Sequence, residues 1–121
     1  RSHVLRLGLL DYQDAFLTHP AYDVVSLLTD ARTWISASVR EAMIARYLAK
    51  SDDDRNMFQL AFATLSAQRN LRILGVFARA GKPLDDMRPT FRYFTEALEH
   101  SSFDAVRREA LRAFPDDLVA A

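Results

Sequence analysis

Apolar and polar residues alternate loosely from Val4 to Leu10, and the rest of the chain turns to apolar spacings of three and four. The alternation, closed by the pair Leu9-Leu10, predicts one short strand. Asp11-Tyr12-Gln13-Asp14 then forms a polar break that cannot continue a buried strand. Pro20 stands where a helix begins, because its absent N–H is not needed in a first turn. Val24, Val25, Leu27, Leu28 and Ala31 give a helix over about 21–31 one apolar face.

Ser38 with Glu41 three residues on reads as a capping box, opening a helix to about Lys50 with Met43, Ile44, Tyr47 and Leu48 inward. Ser51-Asp52-Asp53-Asp54 is a turn whose aspartates can cap the next helix. That helix is the longest, from about Arg55 to Ala80, with Gly81 at its C′ position and Pro83 preventing continuation. Two more helices are predicted over about 87–99 and 103–114. The pattern predicts a mainly α chain with one strand and no internal repeat. A lone strand leaves its ladder groups unsatisfied, so it calls for partner strands upstream of Arg1.

Composition narrows the function classes. The 121 residues are half hydrophobic, enough to bury a core, and suit a single domain. Sixteen basic residues balance sixteen acidic ones, so the cationic surplus that displaces counterions from nucleic acid is absent, and no nucleic-acid partner is expected. With no cysteine there is neither a disulfide nor a thiolate metal site, in keeping with a cytoplasmic location. No apolar run approaches the roughly 20 residues that span a bilayer, so no membrane partner is expected. His3, His19 and His100 are scattered without zinc-ligand spacing, and no phosphate-cradling glycine loop occurs. Trp34, Phe91, Tyr93 and Phe94 read as packing groups rather than a nucleic-acid platform.

Three positions carry candidate chemistry. Asp11, with Gln13 and Asp14, follows a strand; a carboxylate there can hold Mg²⁺ or simply make a turn. Asp23 lies in the first turns of a helix, where the dipole favours it, or where it accepts N–H groups from a neighbouring loop. Arg69 interrupts the stripe Phe58, Phe62, Leu65, Ile73, Val76, so its guanidinium must pair with a carboxylate such as Asp14, Asp23 or Asp30, reach solvent, or contact a phosphate or substrate.

Leu10-Asp11-Tyr12-Gln13-Asp14-Ala15, Tyr22-Asp23-Val24-Val25-Ser26-Leu27-Leu28 with Asp30-Ala31-Arg32, and the run from Ala67 to Arg79 occur in order over about two thirds of the chain. Together they resemble the aminoglycoside phosphotransferase and choline kinase-like family, most closely its branch of bacterial N-acetylmuramate/N-acetylglucosamine kinases. The resemblance implies that residues 1–121 form the helical C-terminal subdomain of a protein-kinase-like fold, with one residual short strand. It implies phosphoryl transfer from ATP, with Mg²⁺, to a hydroxyl of a sugar, amino sugar or aminoglycoside-like small molecule. Asp11 would be the metal ligand, and Gln13, Asp14 and Arg69 would border the substrate. Asp23 would brace the catalytic loop from below. That loop, H-x-D-x-x-x-x-N or a close variant, and the ATP-binding lobe do not occur here, so the chain alone is expected to be inactive and to depend on the N-terminal part of the same enzyme. The rival reading is a non-catalytic helical interaction module on an inherited scaffold. Convergence of Asp11, Asp14 and Arg69 on one concave face would separate the two.

Overall fold

The computed structural model describes residues 17–119. The strand expected over Val4–Leu10 lies outside this range, and the described residues are helices and connecting turns.

The first helix, α1 (Ala21–Leu28), starts behind Pro20, and the His19 ring Nδ1 accepts from the Ala21 N–H at 3.1 Å. It stops three residues short of the expected end. Thr29 leaves helical geometry (φ −126°, ψ 43°), and Asp30 Oδ1 takes the Arg32 N–H at 2.8 Å. Aspartate offers the backbone this local alternative to a further helical turn. The helix α2 (Ala37–Leu48) is capped by Ser36, whose hydroxyl accepts from the Val39 N–H. The expected capping box at Ser38 and Glu41 is therefore corrected: Ser38 lies inside the first turn, and its hydroxyl meets that of Ser36 at 3.1 Å. Ile44, Tyr47 and Leu48 are half-buried, but Met43, expected inward, is exposed.

The longest helix, α3 (Arg55–Arg79), is capped by Asp54, which accepts from the Met57 N–H at 2.9 Å. At its other end Gly81 adopts φ 65°. Its N–H bonds Ala78 O at 3.1 Å, and that of Lys82 bonds Phe77 O at 3.0 Å, which satisfies carbonyls that the last turn leaves open. The helix α4 (Leu84–Ala97) begins directly after Pro83, earlier than expected, with Asp85 and Asp86 in a first turn whose dipole favours them. A 3₁₀ turn (Ser101–Phe103) leads into α5 (Asp104–Arg112). A final turn, α6 (Asp116–Val119), is not evident in the sequence pattern. Pro115 opens it by accepting the N–H groups of Leu118 and Val119.

The main core lies between α3 and α4 and is closed by the C-terminal turns. Ala67, Leu74, Met87, Phe91, Phe94, Leu98 and Leu118 are buried together. Phe114 sets its ring against Phe91 and Phe94 at centroid distances of 5.0 and 5.4 Å. Phe91, Tyr93 and Phe94 are thus packing groups as expected, while Trp34 keeps 40% of its surface exposed. The buried stripe of α3 is rotated from the expected one. It keeps Phe58, as expected, then runs through Ala63, Ser66, Ala67, Asn70 and Leu74, while Phe62, Leu65 and Ile73 are half-buried and Val76 is exposed. Small residues fill the middle of that inward face, with the large side chains of Phe58 and Leu74 buried at its two ends.

Candidate functional site

The helices α1 and α3 meet through polar groups as well as apolar ones. Asn70 is fully buried and donates to Ser66 O at 2.8 Å, to the Ser66 hydroxyl at 3.2 Å and to the Thr29 hydroxyl at 3.4 Å. The Thr29 hydroxyl in turn donates to Val25 O at 2.8 Å. One residue earlier, Arg69 donates from Nε to the Ser26 hydroxyl at 3.2 Å. Its Nη1 is buried and has no hydrogen-bond partner among the described residues.

The pairing expected of Arg69 is therefore only partly present. Among the described residues its guanidinium makes no ion pair with Asp23 or Asp30, though its charge helps to hold the Asp30 carboxyl low. The Arg32 side chain dominates that effect, with hydrogen bonds to Asp30 at 3.0 and 2.6 Å, and the Asp30 pKa falls to about 2. Asp23 is exposed in the first turn of α1. It sits with Val24, Leu27, Met43, Arg46 and Tyr47 on a largely apolar groove of about 540 Å³ between α1 and α2. Burial, then the carboxylates of Asp53 and Asp23, push the Tyr47 hydroxyl pKa up.

A second polar assembly ties the segment between α1 and α2 to α4. The Tyr93 hydroxyl donates to Thr33 O at 3.1 Å and accepts from the Ile35 N–H at 2.7 Å. Arg40, nearly buried, donates to Ile35 O and pairs with Glu96. The Arg92 guanidinium lies over the Trp34 ring at 4.2 Å, and Trp34 stacks on Tyr93 at 4.8 Å. Arg40, Glu96 and the Tyr93 hydroxyl were not singled out from the sequence. Their partners are 56 to 60 residues apart for the longest links, so no local spacing announces them. Asn70 does carry a signal: with Ser66 it is a polar member of the small-residue stripe on α3.

Asp11, Gln13 and Asp14 lie outside the described residues, as does any convergence of Asp11 and Asp14 with Arg69. Among the described residues, no group of three or more His, Cys, Asp or Glu side chains could hold a metal ion, and no helix is long and apolar enough to cross a membrane.

Comparison with known proteins finds sequences similar to parts of this chain. A sequence model described as the phosphotransferase enzyme family matches residues 4–62. An N-acetylmuramate/N-acetylglucosamine kinase of Caulobacter vibrioides is 44% identical over 88 residues, covering 69% of this chain and 24% of the relative. A kinase of the same description from Neisseria meningitidis serogroup B is 35% identical, over 80% of this chain and 32% of the relative. One from Pseudomonas aeruginosa is 33% identical, over 89% of this chain and 36% of the relative. The chain thus spans about a quarter to a third of the length of these relatives.

Proposed function

We propose, from the premise that this chain is a relative of the phosphotransferase enzymes, that it is the helical C-terminal subdomain of an ATP-dependent kinase acting on a sugar hydroxyl. The observation that carries the reading is the extended identity with kinases of N-acetylmuramate and N-acetylglucosamine, which runs well beyond the part matched by the general family. An amino sugar is the acceptor it favours, ahead of an aminoglycoside. Transfer of this kind is achieved by positioning and charge neutralisation more than by covalent chemistry.

In this reading Asp11 is the magnesium ligand. A carboxylate suits a cation that takes one or two such ligands and completes its shell with phosphate oxygens and water. When bound, the metal supplies charge neutralisation at the ATP phosphates. Gln13 and Asp14 border the reacting groups. Arg69 offers its unfilled Nη1 to an acceptor oxygen of the substrate or of the adjoining protein, since a buried guanidinium donor without a partner is costly. Asp23 and the apolar groove beside it form the surface on which the remainder of the enzyme rests. Leu27, 71% exposed on α1, is the clearest sign of such a covering. Catalytic loop and nucleotide lobe belong to that remainder, so the 121 residues do not transfer phosphate by themselves.

The test is an assay of the complete protein with ATP and magnesium against N-acetylglucosamine, N-acetylmuramate, an aminoglycoside and choline. Phosphorylation of the amino sugars with a clear kcat/KM advantage supports the reading. Phosphorylation of none of the four contradicts it.

A further inference from the structure

Clefts of three different chemistries open on the described surface. The α1–α2 groove is largely apolar. A groove along α4 sets Arg88, Arg92 and Arg107 around Trp34 and Phe91, which gives it a cationic rim. The third, of about 450 Å³, lies between α2, α3 and α4, within the roughly 300–1,000 Å³ usual for small-molecule sites. Phe62, Ala63 and Ala97 supply apolar surface, while Gln59, Glu41, Glu96 and Glu99 supply polar groups.

The chemistry of this third cleft selects its ligand. Glu96 is fixed from two sides, by Arg40 and by Arg92 at 3.5 Å, so its carboxylate is held in place with lone pairs left over to accept hydroxyl protons. Gln59 offers both a donor and an acceptor from an exposed position on α3. Three lining carboxylates against the one lining guanidinium of Arg40 make the cleft net acidic, which disfavours a polyphosphate. A neutral ring with hydroxyls on its edge and C–H groups on its face meets both kinds of wall. We propose that this cleft is the acceptor subsite, binding a hydroxyl-rich amino-sugar pyranose through Gln59 and Glu96 and favouring the neutral N-acetylglucosamine over the anionic N-acetylmuramate. The proposal rests on the kinase reading above and gives it a location.

Gln59→Trp in the complete enzyme fills the cleft from an exposed helix position, and Gln59→Ala removes only the amide. KM for N-acetylglucosamine, KM for ATP and the thermal unfolding midpoint are measured for both. The expected result is a rise in sugar KM of tenfold or more for Gln59→Trp and of about threefold to tenfold for Gln59→Ala, the loss of one ordinary hydrogen bond. ATP KM and the unfolding midpoint stay at wild-type values. Sugar KM unchanged in both variants of an active enzyme overturns the subsite and leaves the kinase reading standing. Equal rises in the KM of sugar and ATP also overturn it, since they report a general disturbance. A wild-type enzyme that phosphorylates no sugar removes the kinase reading and the subsite with it.

Discussion

The α3–α4 half of the chain and the α1–α2 half are held by different means. Between α3 and α4 the contact is apolar and closed: Leu74 is 1% exposed, and Phe91, Phe94 and Leu118 fill the space around it. On the other side, α1 buries Ala21, Val25 and Leu28 against α3, yet turns Leu27 outward, and α2 turns Met43 outward beside it. The first half has the packing of a finished core. The second has one finished face and one open apolar face, as a layer does when further protein covers it. The segment that contains Asp23 runs along that open layer.

The comparison can be broken at its strongest point by Leu74→Ala. Truncating a fully packed leucine removes buried area and leaves a cavity, so the chain is expected to lose about 2–5 kcal/mol in urea denaturation. A loss under about 1 kcal/mol would mean that the α3–α4 core is loosely packed. The matching change on the open layer is Leu27→Ser. At a surface position the cost in the 121-residue chain is expected to stay within about 0.5 kcal/mol. In the complete protein the same change is expected to lower the unfolding midpoint clearly. Equal small effects in both would show that nothing covers α1.

The smallest effect concerns the turn after α1. Asp30 is held below its usual 3.8, at about 2, chiefly by the Arg32 side-chain hydrogen bonds. A depressed carboxylate contributes stability above its unfolded pKa and loses it as pH falls through the folded value. The advantage of wild type over Asp30→Asn is therefore expected to be full above pH 3.8 and to vanish as pH approaches about 2. Because Arg32 is largely exposed, added salt should shrink that advantage. Acid unfolding curves of the two proteins check it. An advantage unchanged between pH 5 and pH 2 would mean that the carboxylate charge is not its source.

Helix type and order were legible wherever local chemistry decides them. Asp54 and Gly81 mark the two ends of α3 as the aspartate turn and the glycine indicate. Legibility fails where a nonlocal partner decides. Hydrophobicity picks out Phe58 correctly, but from there the inward face of α3 follows the small residues Ala63, Ser66 and Ala67 rather than Phe62 and Leu65, since α1 and α4 both pack on α3. The cap of α2 moved to Ser36 because the neighbouring segment is fixed by Tyr93 and Arg40 through Thr33 and Ile35. Of the candidate site, Arg69 is found half-buried at the α1–α3 contact, bonded to a serine and, among the described residues, to no carboxylate. Asp23 is found at a helix start, as its position suggests.

Asp11→Asn in the complete protein tests the central claim most directly. If Asp11 holds the magnesium that the ATP phosphates need, sugar phosphorylation is abolished while the unfolding midpoint is unchanged. Near-normal turnover would contradict the account and leave Asp11 without a role in metal binding.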